Sequence, residues 1–265
     1  MKKVIAIVLA AVMLLAMLAA CSQPDKGGDV LEQVKKSGKL VVAMEGTWAP
    51  WTYHDENDKL VGFDVEVARA IAGKLGVEAE FVEGAWSGLF TGFETGRYDI
   101  IANGVDITEE RSAKYDFTTP YAYSYTVLIV RGDNDSIKGF EDLKGKKTAN
   151  SIDSTYMLLA EEYGATVSGV ESLEETLNMV LAGRVDATLN AEVSLNDYLR
   201  EHPDANLKVV CKTAEPTNVA IPIRKGQECK ALNEAISKAI EELRAEGKLT
   251  EISKKYFNGF DITTK

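Results

Sequence analysis

In 265 residues the chain has three cysteines, two histidines and six prolines, and it has only one long apolar run. Three cysteines are too few for a disulfide-built scaffold, and no Cys-x-x-Cys or zinc spacing occurs. Cys211 and Cys229 are expected as two free, partly buried thiols, although a disulfide between them stays open because pairing depends on Cα separation. His54 and His202 lie far apart in loop-like sequence beside Asp55 and Pro203, so no metal site is expected and general bases are scarce. Phosphate-binding glycine loops, a Gly-x-Ser-x-Gly elbow and a His-Glu-x-x-His helix are all missing, so no catalytic residue and no cofactor is assigned. Positive charge is also in short supply: 30 Lys+Arg stand against 41 Asp+Glu, a formal charge of -11. Affinity for a phosphate backbone needs clustered Lys and Arg, so nucleic acid is not expected as a partner.

The single apolar run is informative. Val4 to Ala20 carries no charge, Gly or Pro and follows Lys2 and Lys3. This is the pattern of a secretion signal, marginal in length for a permanent membrane span. Leu18-Ala19-Ala20-Cys21 follows, and it resembles the lipobox of bacterial lipoproteins, in which the cysteine is lipidated and becomes the first mature residue. Residues 1–20 are therefore expected as a signal peptide and 21–37 as lipidated Cys21 with a tether, the polar stretch from Ser22 to Asp29 being suited to flexibility. Removing residues 1–20 takes Lys2 and Lys3 and no acid, which moves the charge from -11 to -13.

From Gly38 onward, short β-rich runs alternate with helical periodicity, as in an α/β fold. Strands are expected over 40–44, 78–82, 99–102, 126–130, 148–150, 186–190, 207–210 and 219–223. Helices are expected over 64–75, 87–95, 154–163, 173–181, 193–199, 229–246 and 249–257. At 45% hydrophobic residues the chain can bury a substantial core, as one large domain or two modest ones.

Three segments could carry chemistry. Glu45 to Tyr53 holds Trp48 and Trp51 around Pro50 at the carboxyl end of a strand, where open α/β sheets place ligands; hydrophobic plugs under a loop would read the same way. Asn103 to Arg111 combines Gly104, which permits close backbone approach, with Thr108 as a helix cap and Arg111, whose planar fork suits a carboxylate. A surface arginine paired with a nearby acid is the alternative. Ile152 to Tyr156 sits at a strand-to-helix turn, where N–H groups and hydroxyls favour an anion or simply cap the helix.

These segments fall among landmarks that run in order through the chain. They are Thr47-Trp48-Ala49-Pro50-Trp51, Leu60-Val61-Gly62-Phe63-Asp64, Gly96-Arg97-Tyr98-Asp99-Ile100, the Ile-Thr-x-x-Arg ending in Arg111, Tyr115 to Tyr121, Leu143-Lys144-Gly145-Lys146 and Gly183 to Ala187. From about Leu40 to Phe260 the chain thereby resembles the extracytoplasmic solute-binding proteins (family 3) that deliver polar amino acids to ABC importers. The resemblance implies a periplasmic-binding-protein-like (type II) α/β fold of two lobes joined by a two-crossing hinge. Lobe 1 would comprise 38–122 plus 220–265, and lobe 2 would comprise 126–216.

The same resemblance implies a ligand site built from Trp48, Trp51 and Trp86 as aromatic walls and Asn103, Gly104 and Asp106 around the α-amino and α-carboxylate groups. Arg111 would clamp the carboxylate, aided by Ser154 and Thr155, with Asn190 and Glu192 nearby. Where the family usually has an aspartate for the ammonium, this chain has Ala191. Asp106 is expected to replace it, with Glu192 in reserve. The segments 150–165 and 187–205 are most like the cystine-binding branch, so cystine or a related amino acid is the expected ligand, ahead of another polar or aromatic amino acid. The implied partners are an ABC permease, its ATPase and, through the lipid, the bacterial cell membrane, with the protein itself a monomer. A secreted dehydratase on the same fold, or a ligand-sensing module, is the alternative.

Overall fold

A computed structural model describes residues 28–265. The expected signal peptide, Cys21 and most of the tether lie outside the described residues. Val30–Ser37 (α1), assigned to the tether on sequence, is a helix. Asp29 caps it by accepting from the Leu31 N–H, and Val30 and Val34, four apart on one face, are buried. The expected tether therefore ends by Asp29. The stripe is short, with Glu32 and Gln33 interrupting it between Leu31 and Val34.

The first sheet is wholly parallel, in the order β5-β1-β6, with β1 at Lys39–Met44, β5 at Glu78–Glu83 and β6 at Ile100–Ile101. Alternation along β1 divides its side chains: Leu40, Val42 and Met44 enter one apolar cluster, while Ala43 and Val41 pack into another with Leu89 and Phe93. A strand buried on both faces needs cover on both. Trp86–Glu94 (α3) covers one face, and Phe63–Leu75 (α2) the other. Between β1 and α2 the chain makes a small antiparallel meander, β2 (Thr47–Trp48), β3 (Thr52–His54) and β4 (Leu60–Val61).

Glu109–Lys114 (α4) leads into β7 (Tyr115–Phe117) and β8 (Ala122–Ser124), after which the chain crosses to the second sheet. That sheet has five strands in the order β11-β10-β12-β9-β13: β9 Thr126–Arg131, β10 Lys147–Ser151, β11 Thr166–Val170, β12 Ala187–Ala191 and β13 Leu207–Lys212. β10 runs parallel to β11 and β12, whereas β9 is antiparallel to both β12 and β13. In β9, Val127 and Ile129 face one cluster and Leu128 and Val130 the other, again the period of two. Helices α5 (Thr155–Glu162), α6 (Leu173–Leu181) and α7 (Glu192–Glu201) connect these strands.

The return crossing ends in β14 (Thr217–Val219), antiparallel to β8, and β15 (Pro222–Arg224), antiparallel to β7. A single strand over 219–223 was expected. The segment instead divides at Ala220 and Ile221, because its two halves pair with different partners. Gln227–Ala245 (α8) then buries Leu232, Ile236, Ala239, Ile240 and Leu243 at helical spacing, and Lys248–Tyr256 (α9) adds Leu249 and Ile252. Both complete the cluster around the first sheet, which also contains Val30 and Val34 of α1. Cys229 is buried and Cys211 partly so, and both thiols are free.

Candidate functional site

The carboxyl ends of β1, β6, β10 and β12 converge on a cleft between the two sheets. Trp48, Trp86, Asn103, Gly104, Asp106, Arg111, Ser154, Thr155 and Asn190 line it, together with Glu45, Ser151, Tyr156 and Leu173. Two expected residues are elsewhere. Trp51 is 1% exposed and lies beneath Trp48, with ring centroids 5.2 Å apart and planes 13° from parallel, and it packs edge-on to Phe63 and Phe257. Sequence places it three residues from the Trp48 wall, but the turn at Pro50 sends it into the core. Glu192, at the first position of α7, turns out to Lys212, 3.3 Å away, so it holds no reserve place for an ammonium. Ala191 is fully buried in the apolar cluster of the first sheet.

The Asn103–Asp106 loop is held from below. The buried Asp64 carboxylate, from the first turn of α2, accepts the Gly104 N–H at 2.5 Å and the Tyr121 hydroxyl at 2.8 Å. Burial pushes its carboxyl up to about 7, against both hydrogen bonds. Gly104 has φ +57°, and a Cβ there would lie 2.6 Å from the Trp48 ring, so glycine is required both by the turn and by the indole. Asn103 accepts from the Glu45 N–H at 2.8 Å and from Thr52 at 3.2 Å, and its amide donates to the Glu45 carboxylate at 2.6 Å.

Asp106 is the central acid. Its two carboxylate oxygens accept hydroxyls from Thr155, across the cleft, and from Thr217, on the return crossing, each at 2.6 Å. Burial raises its pKa, while the two hydroxyls and the Arg111 charge pull it down. A carboxylate has about four lone-pair sites, so further donors can be accepted. Arg111 sits over Trp86 and Phe90, 5.3 and 5.4 Å from their centroids, and donates to the Asp106 carbonyl at 3.1 Å and, across the cleft, to that of Asp153 at 3.4 Å. Burial lowers its pKa, but a guanidinium stays charged. Its remaining N–H donors can fork onto a carboxylate. The alternative of a surface arginine paired with an acid does not hold, because its partners are backbone carbonyls.

Opposite Arg111, Ser154 caps α5 by accepting the Met157 N–H at 3.1 Å, and the first turn of that helix opens on the cleft. Thr155 was expected to share a carboxylate with Ser154, but it gives its hydroxyl to Asp106. Trp48 donates its indole N–H to Asn190 at 3.3 Å, which also spans the two sheets.

Sequence reasoning missed Glu45 and Asp64. Glu45 shares its segment with Trp48, and removal from water pushes its carboxyl up to about 7, with the Asn103 amide opposing. A carboxyl directly after a strand facing a cleft was the available signal. Asp64 was legible only as a landmark.

The cleft is thus amphipathic, with one forked cation, two carboxyl groups and aromatic walls, suited to a small zwitterion. Comparison with known proteins agrees. The family model for bacterial extracellular solute-binding proteins, family 3, matches residues 40–259. The L-cystine-binding protein TcyA of Bacillus subtilis (strain 168) is 39% identical over 258 residues, covering 94% of this chain and 95% of that protein. An ancestral arginine-binding protein bound to arginine superposes with a TM-score of 0.78 at 37% identity, covering 83% of this chain and 98% of that one. The L-cystine solute receptor of Neisseria gonorrhoeae, in its unliganded open conformation, gives 0.61 at 39% identity, covering 90% and 100%. Hydrogen bonds from Trp48, Arg111 and Thr155 join the two sides of the cleft, and Trp51 and Ser87 make further bonds between the two halves outside it. By sequence, fold and cleft, the chain belongs to the bacterial extracellular solute-binding proteins, family 3.

Proposed function

We propose that the protein captures an amino acid outside the cytoplasm for an ABC importer, with L-cystine the foremost candidate. The observation that carries this is the pairing, within one cleft, of Arg111 and the α5 N-terminus with the Asp106 carboxylate. The first two suit an α-carboxylate and the third an α-ammonium. Glu45 adds a second carboxyl group against the same chamber, which suits a ligand bearing a second cationic group. Cystine has a second ammonium and arginine a guanidinium. Lobes of about 38–122 plus 220–265 and 126–216 would close on the ligand by hinge motion, the ligand stabilising the closed state. The protein would bind and release its ligand unchanged.

The test is a thermal-melt panel of amino acids including L-cystine and L-arginine. A ligand at 100 times its dissociation constant adds about 2.7 kcal/mol to the unfolding free energy. In Asp106→Asn, loss of a charge-assisted hydrogen bond to the ammonium is expected to weaken binding about 10–100-fold. An unchanged affinity would return the ammonium to another partner. The relatives named as binding proteins support the transport reading. The lipobox supports lipid anchoring at Cys21: a Cys21→Ala chain is expected in the medium instead of the membrane fraction, and retention of that variant with the cells would count against the anchor.

A further inference from the structure

Trp51 is the expected ligand wall that the cleft does not use, and its polar edge has a different partner. Three aromatic rings, Trp48, Phe63 and Phe257, enclose its indole and fix its direction. The N–H reaches the Ser194 hydroxyl oxygen at 3.1 Å, a buried hydrogen bond between residues 143 apart in the chain. Ser194 lies in the first turn of α7, on the second sheet's side, and is 1% exposed. It does not line the ligand cleft.

We propose that Trp51 and Ser194 form an interlobe latch that sets how long a ligand is held without touching it. This rests on the cleft being the ligand site. Two features make the latch effective. The indole has no freedom to lose, since packing already aims it, so docking α7 carries little ordering cost. Separation of the lobes would hand both groups to water, so the bond contributes only when the lobes meet. Trp48, stacked on Trp51, is the ring that faces the chamber and itself reaches Asn190. The latch therefore lies directly behind a cleft wall, and Trp51 and Ser194 act on the closed state without contacting the ligand.

The experiment is stopped-flow dissociation of L-cystine and L-arginine from the mature chain and its variants. Ser194→Ala removes the acceptor. A net hydrogen bond of ordinary strength corresponds to dissociation about 2–12-fold faster, by the same factor for both ligands and with the ligand-free melt unchanged. Ser194→Thr, which keeps the hydroxyl, restores the slow rate. Trp51→Phe, which keeps an aromatic ring but removes the indole N–H, behaves like Ser194→Ala, and the double variant is no faster than the faster single one, because both remove one bond. Unchanged dissociation in Ser194→Ala from a wild-type chain that binds ligand overturns the latch alone. So does a factor that differs between ligands, or failure of Ser194→Thr to rescue. A wild-type chain that no amino acid stabilises removes the ligand-site reading and the latch with it.

Discussion

Glu45 and Asp64 occupy opposite sides of the Asn103–Gly104 loop, and both have carboxyl groups pushed up to about 7 by burial. A carboxyl with a raised folded-state pKa binds its proton more tightly in the folded chain than in the unfolded one. Its contribution to stability is complete below the ordinary carboxylate range and is lost as pH rises through about 7. Melting temperature is therefore expected to decline between pH 5 and 8, and Glu45→Gln to flatten part of that decline. Binding responds in the opposite sense for a ligand whose second cation meets Glu45. Its affinity should rise as pH passes 7 and Glu45 ionises, and Glu45→Gln should abolish the rise. A calorimetric titration of L-arginine across this range reads it directly, and a parallel rise in the variant would assign the effect to another group.

Among the elements, those with a clean period were legible and those defined by partners were not. The α8 stripe of Leu232, Ile236, Ile240 and Leu243 and the apolar run of β9 announce themselves in sequence. Thr166–Val170 (β11) does not, because Ser168 and Gly169 interrupt it and its place comes from pairing with β10. The same holds for the division of 217–224 between β8 and β7. In the site, nine of the expected eleven residues line the cleft, because strand ends are where α/β folds put chemistry. Trp51 and Glu192 were misplaced because a one-residue change of direction cannot be read from composition. α1 was missed altogether, and it supports a prediction of its own. Val34 is 2% exposed in the main cluster, so Val34→Ala should cost about 2 kcal/mol, counting two methylene equivalents and the residual cavity. A chemical-denaturation midpoint that does not move would mean that α1 is only loosely docked.

At the scale of the molecule, the acidic surface and the chamber are separate matters. The formal charge of -11 is spread over the whole sequence, while the proposed recognition groups are one arginine and two carboxyl groups lining the cleft. Each sheet has its own clusters on both faces, and two adjacent strands of connection, β8 and β14, run between them. Thr126 and Thr213 tie the two crossings together through a backbone bond of 2.9 Å. The interleaved connectivity also has a consequence in time. The five strands of the second sheet lie within residues 126–212, so all are available once that stretch has emerged from synthesis. The cluster around the first sheet draws on residues from Val30 to Phe257, and it stays open on one side until α8 and α9 arrive. The lobe begun first is therefore the one finished last. A chain stopped after residue 225 should show protected amides in β9, β10 and β12 and exchanging ones in β1, whereas protection of β1 would show that its half can close without the C-terminal helices. For a chain threaded through a membrane from its N-terminus, the half carrying Arg111 and Asp106 thus waits for the final forty residues before it can grip anything.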